Sequence, residues 1–136
     1  MFVPNRVALA AFSMPLLLAG CAERPGDAPD LAEVTGTITV DGQPAAWAMV
    51  YFLSKDRGLQ AVGTTDGDGT FRLMYKRGVS GAPVAEHVVT VETGTPEGPE
   101  RATTIPGKYA DRKTCGLEAV VTAEGPNDFA FNLISD

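Results

Sequence analysis

The chain reads as all-β, an antiparallel Greek-key sandwich of about seven strands, on three observations. Apolar and polar side chains alternate at period two in short runs, Asp-Gly pairs punctuate those runs, and no stretch carries an apolar period of 3.6 residues. Glycine and proline recur too often for a helix to extend, with 15 and 10 among 136 residues. At 44% apolar the chain can fill one hydrophobic core.

In order along the chain, Val34, Gly36, Ile38 and Val40 alternate with Thr35, Thr37 and Thr39, and Asp41-Gly42 then supplies a turn. Trp47, after the Gln43-Pro44 turn, is placed to cap the core; exposed at a loop it could instead stack on a sugar. Ala48 to Leu53 is apolar on both faces, which suits an interior strand. Ala61 to Thr65 follows, and Asp66-Gly67-Asp68-Gly69 turns the chain into Thr70 to Met74, with Phe71 and Leu73 on one side. His87, Val89 and Val91 share a face of the next strand. Leu117, Ala119 and Val121 form another stripe, and Phe129, Phe131 and Leu133 close the chain. Between Thr93 and Gly116 no periodicity holds, which is long for a connection in a compact domain and marks a functional or disordered segment. Its first part, to Thr104, is polar and rich in Pro and Gly, whereas Ile105-Pro106-Gly107-Lys108-Tyr109 carries residues able to pack.

The N-terminus has a different logic. Arg6 precedes an apolar run from Val7 to Leu18, the pattern of a secretory signal, and the run falls short of the ~20 residues a membrane-spanning helix needs. Leu18-Ala19-Gly20-Cys21 resembles the lipobox of bacterial lipoproteins. That resemblance implies that the Cys21 thiol takes a diacylglycerol and that the bond before it is cut. The expected organisation is a signal peptide over 1–20, a flexible tether over 21–33 rich in charge and proline, and a sandwich over 34–136. The membrane is then a partner through lipid alone. Ala22, in place of an Asp, implies the outer rather than the inner membrane of a two-membrane envelope.

Composition excludes several functions. Eleven basic residues against 17 acidic ones give a formal charge of −6 with no basic stripe, which argues against nucleic acid. One histidine, His87, rules out centres built from several imidazoles. With Cys21 acylated, Cys115 has no disulfide partner within the chain and reads as a buried small residue, its sequence neighbours Arg112 and Lys113 being the nearest groups able to activate it. Asp66-Gly-Asp68-Gly opens like a calcium loop, but Thr70 and Arg77 stand where an EF-hand needs its later oxygen ligands, so it reads as a turn. No Gly-x-Ser-x-Gly elbow accompanies His87. Neither a catalyst nor a cofactor is expected.

The run Val34-Thr-Gly-Thr-Ile-Thr-Val-Asp-Gly-Gln-Pro44 resembles the opening of carboxypeptidase regulatory-like domains, which are transthyretin-like sandwiches. Thr65-Asp66-Gly67-Asp68-Gly69-Thr70-Phe71 is similar to a turn and strand of the same family. Ile105 to Tyr109 with Thr114-Cys115-Gly116-Leu117 resembles a segment of short envelope lipoproteins in that group. Three positions depart from the pattern: His87 stands for a tyrosine, Cys115 for a serine and Ala85 for a glycine. With catalysis set aside, the expected function is a non-catalytic, membrane-anchored envelope module that binds an extracellular or envelope protein or a glycan through loops and edge strands, or helps build a surface assembly. Lys108, Tyr109 and Asp111 combine charge with an aromatic ring, although packing and turn formation account for them as well. The alternative is a small-ligand or metal carrier on the same sandwich.

Overall fold

The computed structural model describes residues 29–96 and 100–135. Every run read as a strand becomes one: β2 (Thr35–Val40), β4 (Ala48–Ser54), β5 (Gln60–Thr64), β10 (Glu86–Thr93), β11 (Leu117–Val120) and β12 (Asp128–Leu133). The run from Thr70 to Met74 divides into β6 (Thr70–Arg72) and β7 (Met74–Lys76). Four two-residue strands complete the set: β1 (Leu31–Ala32), β3 (Gln43–Pro44), β8 (Val79–Ser80) and β9 (Ala82–Pro83). A single 3-10 turn, η1 (Gly107–Ala110), is the helical element among the described residues.

Two principal sheets result. One has the order β11-β10-β4-β5-β7-β8; in the other β2 pairs with β12, β3 and β6. Their inner faces meet around Phe52 of β4, whose ring centroid lies 6.2 Å from Phe71 of β6, and 5.8 and 6.2 Å from Phe129 and Phe131 of β12. Ile38, Val50, Leu73, Val89, Val91 and Leu133 pack around this cluster and are almost completely buried. An all-β chain with predominantly antiparallel sheets and this cross-sheet contact is consistent with a sandwich.

One pairing is parallel. β2 and β12 run side by side in the same direction over six residue pairs, from Thr35↔Asp128 to Val40↔Leu133. The expectation of antiparallel pairing throughout fails here for a topological reason. Antiparallel neighbours can be joined by a tight turn, whereas these strands lie 93 residues apart and are linked through the other sheet. The outer side of the seam carries two polar pairs: the Thr35 hydroxyl donates to Asp128 at 3.2 Å, and the Thr39 hydroxyl to Asn132 at 2.7 Å.

The division of β6 from β7 follows from Leu73. Its side chain is buried and its backbone N–H donates to the Val34 carbonyl at 3.0 Å, so the chain leaves β2 and joins β5 through the pair Val62↔Met74. The turn before β6 is the Asx turn expected of Asp66: its carboxylate accepts the N–H groups of Asp68 at 2.9 Å and Thr70 at 3.0 Å. Gly69 sits at φ +78°, where a Cβ would come within 2.6 Å of the Ile38 carbonyl oxygen.

Leu31 and Ala32, placed by composition at the end of the tether, instead pair with Ala82 and Pro83, and the Val84 N–H donates to the Asp30 carbonyl at 2.8 Å. The long connection is also fastened. Thr103 exchanges two hydrogen bonds with Ala46, each 2.9 Å, and the Thr93 hydroxyl accepts the Ile105 N–H at 2.9 Å. Trp47, at φ +59°, donates its indole N–H to the Glu100 carboxylate at 2.8 Å. Its ring is thus held against the connection.

Candidate functional site

The outer face of the larger sheet is where chemistry and open surface coincide. Side chains alternate along β4, so Val50, Phe52 and Ser54 enter the core while Met49, Tyr51 and Leu53 point outward. Register sets their neighbours. Tyr51 lies between Val62 and Thr90, Leu53 between Gln60 and Val88, and Met49 between Thr64 and Glu92. Met49, Tyr51, Leu53, Val62 and Val88 are half-buried, leaving an apolar floor partly open to solvent.

The segment after η1 crosses this floor. Asp111 organises it: its carboxylate accepts the Lys113 N–H at 2.8 Å and its carbonyl accepts the Thr114 and Cys115 N–H groups at 3.1 and 2.8 Å. The Thr114 hydroxyl closes the turn on the Lys108 carbonyl at 2.6 Å. Arg112 is thereby projected between two clefts. One, of about 320 Å³, lies among Tyr51, Leu53, Gln60, Thr90, Glu92 and Ala110; the other, of about 470 Å³, lies among Leu53, Lys55, Gly58, Val88 and Lys113. Leu53 and Arg112 border both.

The charges at the rim are unevenly satisfied. Lys55 pairs with Glu118 at 2.6 Å, and that hydrogen bond raises the lysine pKa. The Tyr51 hydroxyl donates to Glu92 at 2.7 Å, and burial, reinforced by that carboxylate, pushes the phenol up to about 12. The Arg112 and Lys113 side chains have no hydrogen-bond or ion-pair partner among the described residues. A guanidinium over an apolar floor, beside a phenol, an amide and a hydroxyl, suits an elongated ligand that presents an anionic or carbonyl group to Arg112.

The residues singled out from sequence fall elsewhere. Leu18, Ala19, Gly20 and Cys21 lie outside the described residues. Tyr109 is structural: it is buried, and its hydroxyl donates to the Ile134 carbonyl at 3.3 Å and accepts the Ile134 N–H at 2.9 Å. The Lys108 ammonium lies 5.2 Å from its ring centroid. Cys115 is buried, and its thiol donates to the Arg112 carbonyl at 3.7 Å. It borders a small cleft with Val88, whose side chain leaves β10 on the face opposite to that of His87. His87 faces the core, fully buried. The two are not arranged as nucleophile and base. Among the described residues, no three His, Cys, Asp or Glu side chains gather into a group able to hold a metal, and no helix is long and apolar enough to cross a membrane.

Arg112 and the outer face of β4 were not identified from sequence as a site. A signal was present in the run Ala48–Leu53, apolar on both faces, because a two-layer fold can bury only one of them. No protein-family model, curated protein or solved structure matches this chain.

Proposed function

We propose that the chain is a non-catalytic lipoprotein of the cell envelope, held at the membrane through Cys21 and binding an envelope or extracellular partner through the outer face of its larger sheet. The anchor reading is supported by the apolar run ending in Leu18-Ala19-Gly20-Cys21. The finer architecture, a transthyretin-like, carboxypeptidase regulatory-like Greek-key sandwich, belongs to the same proposal and is supported by the motifs between Val34 and Phe71. The outer membrane is the proposed location. The observation that carries the binding function is the half-buried floor of Tyr51, Leu53 and Val88 beneath the unpaired Arg112. Apolar surface rimmed by polar groups is characteristic of an interaction site, and arginines that become buried on binding are among the side chains that dominate binding energies.

A protein or a glycan strand would lie along β4, its carboxylate or carbonyl groups on Arg112 and its body on Leu53 and Tyr51. The test uses a chain starting at residue 21 with Cys21→Ser, which cannot be acylated, so retention on washed envelope fragments reports the protein surface alone. Its co-sedimentation is expected to weaken about tenfold on adding Arg112→Glu, in keeping with loss of one central arginine contact. Equal retention with and without Arg112→Glu, or no retention of either protein, would overturn this assignment of the surface.

A further inference from the structure

We propose that His87 is an acid-sensitive latch: protonation of its ring releases the β1–β9 seam, residues 29–32 and 82–84, from the sandwich. The imidazole is fully buried, 5.5 Å from the Phe52 ring centroid. Its Nε2 lies 2.7 Å from the Pro83 carbonyl, an acceptor, so Nε2 carries the proton and Nδ1 is the lone-pair nitrogen. Nδ1 is the one buried side-chain polar atom without a hydrogen-bond partner among the described residues. A neutral ring with its proton on Nε2 satisfies the one acceptor bonded to it, whereas a second proton, on Nδ1, has no hydrogen-bond partner among the described residues.

The surrounding groups set the direction. Across the strands, His87 is opposite Ser54 of β4 and Ala119 of β11, neither of which is acidic. Pro83 approaches from β9. Asp56, in the turn after β4, favours the charged ring, as do the Pro83 and Phe52 backbones, but burial outweighs them and holds the pKa below its usual 6.5. Glu86 and Glu118 are exposed on the outer side of the sheet, Glu118 being paired with Lys55. Asp30 and Arg57 lie with Asp56 on an open cleft of about 310 Å³ behind Pro83, Val84 and Ala85.

Solvent therefore reaches the far side of the strip that covers the ring. That strip is also the weakest cover. β9 is held to β1 by two residue pairs and flanked by single hydrogen bonds, Gly81 N–H to the Leu73 carbonyl and Val121 N–H to the Ala85 carbonyl, whereas β10 and β4 share seven pairs. Protons enter most easily where β9 lifts, because every other side of the ring is a core strand. An open ring has its ordinary basicity and a closed one does not, so opening becomes more favourable as pH falls below 6.5. On the anchored reading this would lengthen the leash by up to ~3.5 Å per freed residue, but the latch itself does not rest on that reading.

The experiment is amide hydrogen exchange on the full mature chain at pH 7.5 and 5.5, corrected for the chemical exchange rate. The chain has one histidine, so no second imidazole titrates in this window. Protection of the Val84 amide and of peptides covering residues 29–32 is expected to fall about tenfold between the two pH values, while β4 and β10 exchange far more slowly at both. In His87→Gln, whose amide can still donate to Pro83, this fall is expected to vanish. A pH-independent seam, the same fall in His87→Gln, or seam amides exchanging no faster than β4 would each overturn the latch. Should His87→Gln not fold, the single imidazole resonance of the native chain decides the matter: a midpoint at or above 6.5 rejects it, and a lower one that tracks Val84 protection supports it.

Discussion

Phe52→Ala is expected to lower the free energy of unfolding by about 3–5 kcal/mol, enough to leave much of the population unfolded in mild urea. Phe52 is the hub of the ring contacts between the layers. It reaches Phe71, Phe129 and Phe131 across the sandwich and His87 within its own sheet, all with centroids between 5.5 and 6.2 Å. Truncation opens a cavity at the centre, and the strands around it cannot collapse to fill it because their hydrogen-bond ladders set their spacing. Leu53→Ala, the next residue, makes the comparison. Its side chain is half-buried on the outer face, so about 1 kcal/mol is expected. Urea midpoints measured at constant slope report both changes, and similar losses at the two positions would contradict the assignment of inner and outer faces.

Gly36→Ala is expected to be nearly as damaging, about 3 kcal/mol, for the opposite reason. A Cβ there would fall 2.3 Å from the Phe129 carbonyl oxygen and 2.6 Å from the tip of the Phe71 ring. The oxygen belongs to the parallel β2–β12 seam and cannot move without breaking it. Gly42→Ala provides the control. Gly42 has φ +84° but nothing within 4 Å of an added Cβ, so only backbone strain of about 1 kcal/mol opposes it. A thermal melt that ranks Gly42→Ala below Gly36→Ala would contradict the close approach of β2 to β12.

What could be read from the sequence was local. Period-two alternation located the long strands because the residues themselves encode which face is buried, and Asp66 with Gly69 encoded its turn. The parallel β2–β12 seam escaped because partner and direction depend on the path of the whole chain between them. The split at Leu73 escaped similarly: a strand that changes sheets keeps its alternation, and only the hydrogen bonds reveal the change. The pairing of Leu31 and Ala32 with β9 was hidden by the charged, proline-containing composition around them. Arg112 illustrates the same limit at the candidate site, since its place beside Leu53 depends on how residues 100–111 cross the sheet. Cys21 is the reverse case, a short local motif read from the sequence alone and outside the described residues.

The central claim is that a β-domain works at the envelope on a lipid at Cys21. Intact mass of the native protein extracted from membranes with detergent tests it most directly. The predicted result is a chain of residues 21–136 carrying the added mass of its acyl groups, with Cys21→Ser left unprocessed or released. A soluble mature chain of unmodified mass would contradict it.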